Sequence, residues 1–183
     1  MSVSGKLDNC MQSILITNSR IKERIAELGE QISKDYVGRD LLLLCVLKGA
    51  VVFLADLMRT LSIPVLCEFI QLSSYNDGTS PSNVKVIQGL TGNLNGADVL
   101  IVEDIVDSGH SLNFLIDHIE TLAPQSVKVC SLLDKPERRQ VPITVDYLGF
   151  EIPDVFVVGY GMDYAQQYRN LPYIAILNES EYA

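Results

Sequence analysis

Short apolar runs alternate with amphipathic stretches along this chain. Leu41–Leu47 reads Leu-Leu-Leu-Leu-Cys-Val-Leu and stops at Lys48-Gly49. A run apolar at every position is what a strand covered on both faces requires. Residues 99–102 and 126–133 have the same character, and residues 64–72 and 84–90 read as a further strand and its hairpin partner. Helical spacing recurs between them. Ile21, Ile25, Leu28 and Ile32 predict a helix over residues 19–36, residues 50–61 a second, and Leu112, Leu115, Ile116, Ile119 and Leu122 a third. Residues 141–147, 155–158 and 173–177 read as short closing strands. Residues 73–83, rich in Ser, Asn, Asp, Gly, Thr and Pro, read as a mobile loop. Strands alternating with helices predict an α/β fold, a parallel twisted sheet flanked by helices.

In such a sheet ligands sit outside the carboxyl ends of the strands. The chain concentrates its chemistry there. Residues 99–111 read Val-Leu-Ile-Val-Glu-Asp-Ile-Val-Asp-Ser-Gly-His-Ser: apolar strand, the acids Glu103 and Asp104, then a loop opened by Asp107 and built from Ser108, Gly109 and Ser111. Where that loop starts the third helix, unpaired backbone N–H groups face an anion. Carboxylates beside a phosphate cradle suit a phosphorylated sugar held with a divalent cation. Adjacent strand residues point to opposite faces, so a strand running through Glu103 and Asp104 would turn only one of them to the sugar. Lys48, Glu103 and the pair Asp134-Lys135 each lie just past a strand end and are expected to converge.

Charge and cysteine usage narrow the options. The 183 residues carry a formal net charge of −9 with no Lys/Arg-rich stretch, which argues against a nucleic-acid surface. A small anion is still accessible, because backbone N–H groups and a bound cation set the local field. Cys10, Cys45, Cys67 and Cys130 are far apart with no C-x-x-C pair, and read as buried thiols of a reducing compartment. Residues 1–10 lack an apolar h-region, and residues 41–58 are interrupted by Lys48, Gly49 and Asp56, so neither a secretory signal nor a membrane span is expected. The expected location is the cytoplasm. No G-x-G-x-x-G or P-loop occurs, which removes a dinucleotide-dependent enzyme from consideration.

Five blocks, taken in order, resemble the hypoxanthine-guanine branch of the type I phosphoribosyltransferases. Residues 102–111 resemble that family's ribose-phosphate motif, Leu47-Lys48-Gly49 its first loop, and Ser74-Tyr75 the start of its mobile second loop. Leu132-Leu133-Asp134-Lys135 resembles its purine-carbonyl segment. Phe150-Glu-Ile-Pro-Asp-Val-Phe-Val-Val-Gly-Tyr160, with Asp163-Tyr164 and Tyr168-Arg169, resembles its hood and pyrophosphate region. The resemblance implies one phosphoribosyltransferase domain over residues 1–183, its hood lobe formed by the N-terminal segment and roughly residues 134–183. It implies purine salvage: transfer of the phosphoribosyl group from 5-phosphoribosyl-1-pyrophosphate to hypoxanthine or guanine, giving IMP or GMP with Mg²⁺ required, in a homodimer or homotetramer. The alternatives are a xanthine-preferring enzyme and a phosphoribosyl-pyrophosphate-sensing regulator. Against the regulator stand the lack of a basic face and the presence of Asp107, Lys135 and Arg169.

The resemblance also implies roles. Ser108, Gly109, His110 and Ser111 would hold the 5′-phosphate, chiefly through backbone N–H groups, with no chemistry assigned to the His110 side chain. A helix cap by Ser108 or Ser111 is the plainer alternative. Glu103 and Asp104 would grip the ribose hydroxyls directly or through Mg²⁺, and Asp163 would ligate a second ion. Asp107 would handle the proton at purine N7; an ordinary aspartate titrates near ~4, so burial or acidic neighbours are expected around it. Lys48, Gly49 and Arg169 would take the pyrophosphate, with the Leu47-Lys48 peptide carried over as cis. Lys135 would donate to the purine O6, Phe156 would stack on the ring, and Val157 and Asp163 would read its edge. Ser74 and Tyr75 would close as a lid.

Overall fold

The computed structural model describes residues 10–74, 84–88 and 94–181. Its main sheet is built around β2 (Leu41–Leu47), hydrogen-bonded in parallel to β3 (Val65–Ser74) on one side and β5 (Asp98–Val106) on the other. β6 (Ser126–Asp134) and β7 (Tyr147–Glu151) continue the parallel array, and β4 (Val84–Gln88) adds an antiparallel edge to β3. The strand order is β4-β3-β2-β5-β6-β7. β2, β3, β5, β6 and the antiparallel β4 form where the apolar runs predict strands, whereas β7 overlaps the expected strand at residues 141–147 only at Tyr147.

The unbroken apolar character of β2 has a direct structural cause. Leu41, Leu43 and Cys45 pack on one face with Ile21, Ile25 and Leu28 of α1 (Asn18–Asp35) and Phe53, Leu54 and Leu57 of α2 (Val51–Met58). Leu42, Leu44 and Val46 pack on the other with Leu112, Leu115 and Ile119 of α3 (His110–Glu120). Successive side chains of one strand thus feed two separate cores. Thr17 caps α1, its hydroxyl accepting from the Arg20 N–H.

A second, antiparallel sheet joins the two ends of the described chain: β1 (Met11–Ile16), β9 (Ile174–Leu177) and β8 (Val157–Val158), in the order β1-β9-β8. β1 carries no clean alternation and is not among the sequence expectations.

Other element bounds also move. β5 runs through both Glu103 and Asp104 to Val106 instead of ending before them. α2 is shorter than residues 50–61, because Thr60 turns back with both its N–H and its hydroxyl on the Leu57 carbonyl. Residues 141–146 form no strand. Pro142 has no N–H to give a ladder, and Gln140 and Val141 instead donate to the Ser108 carbonyl. Ile143 and Val145 pack against the α3-side core. Residues 155–156 lie outside β8, which keeps only two residues.

Candidate active site

The site grows from the carboxyl ends of β5 and β6. Past Val106 the chain turns at Asp107-Ser108-Gly109, and Gly109 sits at φ +90°, a left-handed conformation that favours glycine. A Cβ there would also come within 2.9 Å of the Val141 carbonyl oxygen. No side chain caps α3. The plain-cap reading of Ser108 and Ser111 therefore does not apply, and no side chain competes for the first-turn N–H groups. The His110 ring lies against the Gln140 side chain in an exposed contact (Nε2 to Oε1, 3.0 Å).

Two cavities meet at this turn. The smaller, about 240 Å³, is lined by Leu47, Glu103, Asp104, Asp107, Ser108 and Ser111 among others. The larger, about 600 Å³, is lined by Asp104, Asp107, Lys135, Arg138, Phe156 and Asp163, with Asp154, Val157 and Met162 beside them. Asp104, Ile105 and Asp107 belong to both. The floor between an uncapped helix start and an aromatic-walled pocket is therefore a pair of aspartates.

Glu103 and Asp104 are not separated as strand alternation alone requires. Both reach the smaller cavity, and their carboxyls share a hydrogen bond. Only Asp104 reaches the larger one. Burial, then the neighbouring Asp104 charge, pushes the Glu103 carboxyl well above the usual carboxylate range. Burial raises Asp104 as well, opposed by the hydrogen bonds from Glu103 and the Ile105 N–H (2.8 Å) and by the Arg169 charge.

Asp104 also packs under the loop after β2. The Leu47-Lys48 peptide is cis. A Cβ on Gly49 would overlap Asp104 Oδ2 at 1.5 Å, so this glycine exists for close approach. The Gly49 carbonyl in turn touches Gly161, where a Cβ would meet it at 2.1 Å. Arg169 donates to the Gly161 carbonyl (2.7 Å) and pairs with Asp163 (2.6 Å), whose other oxygen accepts from the Gln166 N–H (2.8 Å). The first loop, Asp104, Asp163 and Arg169 thus form one continuous contact. The Lys48 side chain itself is exposed.

Lys135 is 7% exposed, with Nζ 3.7 Å from Asp154 Oδ1. Its backbone N–H donates to the Val106 carbonyl (2.9 Å), which fixes the β6 exit against the β5 exit. Phe156 meets Tyr164 edge to face at 5.7 Å. Asp107 is half-exposed rather than buried, and Arg138 Nε lies 2.8 Å from its Oδ1. Ser74 ends β3, while Tyr75 and the rest of the expected lid lie outside the described residues. Sequence reasoning missed Arg138, Asp154 and Gly161. The pair of glycines in Gly159-Tyr160-Gly161 was the available signal for the last, since both sit at positive φ.

A family model described as phosphoribosyl transferase domain matches residues 11–165. The chain is 46% identical over 179 residues to the hypoxanthine-guanine phosphoribosyltransferase of Mycobacterium tuberculosis, covering 94% of this chain and 89% of that protein. It is equally 46% identical to the bifunctional protein TilS/HprT of Listeria innocua over 97% of its own length, but spans only 28% of that relative. A crystal structure of a hypoxanthine phosphoribosyltransferase from Staphylococcus aureus superposes over the whole of both chains with a TM-score of 0.95 at 37% identity. The fold is therefore the type I phosphoribosyltransferase fold. The chain belongs to the hypoxanthine-guanine phosphoribosyltransferase family. No helix among the described residues is long and apolar enough to cross a membrane.

Proposed function

We propose that this protein transfers the phosphoribosyl group of 5-phosphoribosyl-1-pyrophosphate to a 6-oxopurine, hypoxanthine or guanine, releasing pyrophosphate. The observation that carries the reading is the shared floor: Asp104 and Asp107 line both the cavity at the uncapped α3 start and the pocket of Phe156 and Lys135. A sugar phosphate seated on the first and a base in the second would bring the anomeric carbon and the purine nitrogen together over those carboxylates. Such positioning alone can supply a large part of the rate.

The 5′-phosphate takes the N–H groups of Ser108, Gly109, His110 and Ser111, with the two serine hydroxyls adding bonds. Glu103 and Asp104 face the ribose hydroxyls. Gly49 and Arg169 receive the pyrophosphate, with Lys48 closing from the exposed side. Lys135 donates to the purine O6. A buried donor there rejects a 6-amino group, which would leave it unpaired. Phe156 stacks on the ring, Val157 and Asp163 read its edge, and Asp107 accepts the N7 proton as N9 bonds to the sugar. Ser74 and Tyr75 serve as the lid.

The donor set fits Mg²⁺. Among the described residues no group of three His, Cys, Asp or Glu gathers, yet Mg²⁺ usually takes one or two carboxylates and completes its shell with water and substrate phosphate. Two adjacent half-buried carboxyls that line one cavity, Glu103 and Asp104, are such a pair, and Asp163 beside Arg169 offers a second position. Bound there, the ion supplies charge neutralisation for the departing pyrophosphate.

Residues 1–183 act as one domain in this proposal, with the β1-β9-β8 sheet forming the hood. The buried thiols of Cys45 and Cys130 suit a reducing cytoplasm, and assembly as a homodimer or homotetramer is measurable by light scattering. The decisive assay supplies Mg²⁺, phosphoribosyl pyrophosphate and each of hypoxanthine, guanine, xanthine and adenine. Turnover of the first two, and not of adenine, is expected. Tight binding of the sugar substrate with no turnover of any base would favour the sensor instead.

A further inference from the structure

We propose that Arg138 is a positioning residue for base recognition: by competing for Asp154 it keeps that carboxylate from closing on Lys135, leaving the buried ammonium available to the purine carbonyl. The inference rests on the phosphoribosyl-transfer reading above and deepens it.

Four charges alternate along one wall of the larger cavity: Asp107, Arg138, Asp154 and Lys135. Arg138 Nε lies 2.8 Å from Asp107 Oδ1, and its Nη1 donates to Asp154 Oδ1 at 3.5 Å. The Lys135 ammonium approaches the same Asp154 oxygen, at 3.7 Å. That separation is an ion pair but lies beyond hydrogen-bonding distance.

The burial of the partners differs. The Lys135 side chain is 9% exposed and that of Asp154 44%, so Asp154 is the partner with room to move. A desolvated ammonium attracts the nearest carboxylate strongly. Without a rival for Oδ1, Asp154 would advance and consume one of the Lys135 donors. Arg138 is that rival, and its place is set locally. It ends the 3-10 turn of Pro136–Arg138, where its N–H donates to the Lys135 carbonyl at 3.1 Å. Its other contact, on Asp107, draws the guanidinium toward the reacting end of the cavity. The same side chain therefore spans the proton-handling carboxylate and the counter-ion of the carbonyl donor. A pair this exposed contributes little to stability, so its effect belongs in substrate recognition.

The test measures kcat and KM for hypoxanthine and for phosphoribosyl pyrophosphate in the wild type, Arg138→Met, Arg138→Lys and the double variant Arg138→Met/Asp154→Asn. Arg138→Met keeps the apolar stem without the charge. It is expected to raise the hypoxanthine KM on the order of tenfold, the loss of one charge-assisted hydrogen bond, while the sugar-substrate KM changes by less than about twofold. Arg138→Lys should recover part of the loss. Neutralising Asp154 in the Arg138→Met background should bring the hypoxanthine KM back toward wild type, because no charge remains to capture Lys135. An unchanged KM in Arg138→Met, or a double variant no better than the single one, overturns the proposal while wild-type turnover upholds the activity. No turnover by the wild type overturns both.

Discussion

Replacing Gly49 by alanine tests the contact on which the site turns. The added Cβ would lie 1.5 Å from Asp104 Oδ2 and 2.6 Å from its Cγ. Gly49 is not among the positive-φ residues, so the effect is purely steric. To regain ordinary contact at about 3.5 Å the Asp104 carboxylate must retreat by about 2 Å. Its hydrogen bonds from the Ile105 N–H and from Glu103 cannot survive that movement intact. Leaving those half-buried groups unpaired costs about 2 kcal/mol, or a melting temperature lower by roughly 4–8 °C for a domain of this size. Activity should fall further, because a misplacement of about 1 Å at a reacting group can cost about a hundredfold. The assay is a double-mutant cycle in thermal unfolding and in kcat/KM for phosphoribosyl transfer. With Asp104→Ala present the clash disappears, so adding Gly49→Ala should then cost almost no stability. Additive losses in the two backgrounds, or a Gly49→Ala protein within about threefold of wild-type kcat/KM, would refute the reasoning.

Two further outcomes follow from the same carboxylate floor. Asp107→Asn should lower kcat by about a hundredfold or more, the usual contribution of a general base, with the sugar-substrate KM little changed; equal losses in both would move Asp107 to a binding role. Glu103 makes stability depend on pH with a definite sign. The folded protein holds its proton more tightly than the unfolded chain, so the stabilisation is complete below the ordinary carboxylate range and is lost as pH rises through the raised folded-state value. Melting temperatures taken in chelator should fall over that window in the wild type and stay flatter in Glu103→Gln; parallel curves would remove Glu103 as the cause.

The legible parts of the fold are those where a single local pattern decides the outcome. Leu41–Leu47, a seven-residue apolar run stopped by Lys48-Gly49, reads as a strand buried on both faces, and the spacing of Ile21, Ile25, Leu28 and Ile32 reads as one face of a helix. β1 was illegible because its stability comes from pairing with Ile174–Leu177 across the length of the chain, not from its own alternation. Residues 141–146 misled for the opposite reason. Apolar β-branched side chains fill a core there, while Pro142 and the Ser108 carbonyl take the backbone out of the sheet. The acid pair, the Ser108-Gly109 turn and Lys135 were visible as residue types at strand ends. Their partners were not, since the contacts of Gly49 with Asp104, of Arg138 with Asp107, and of Gly161 with Gly49 join segments that no spacing rule relates.

Those partners impose a condition on how an anion enters. The arginines around the cavities are already engaged: Arg169 with Asp163, Arg138 with Asp107 and Asp154, and Arg139 with Asp134. In the proposed reaction, a pyrophosphate arriving at Arg169 would have to exchange places with the Asp163 carboxylate, beside Asp104 in a protein of net charge −9. The exchange alone brings no net gain of opposite charge, so an added cation has to make up the difference. Affinity for phosphoribosyl pyrophosphate should accordingly depend on Mg²⁺ even when no base is present. Isothermal titration in chelator is expected to give a Kd at least about tenfold weaker than with Mg²⁺, a difference of about 1.4 kcal/mol. Asp163→Asn, which relieves Arg169 of its carboxylate, should narrow that gap by improving the affinity in chelator. Equal affinities with and without the ion in the wild type would mean that the backbone N–H groups of the α3 start supply the binding by themselves.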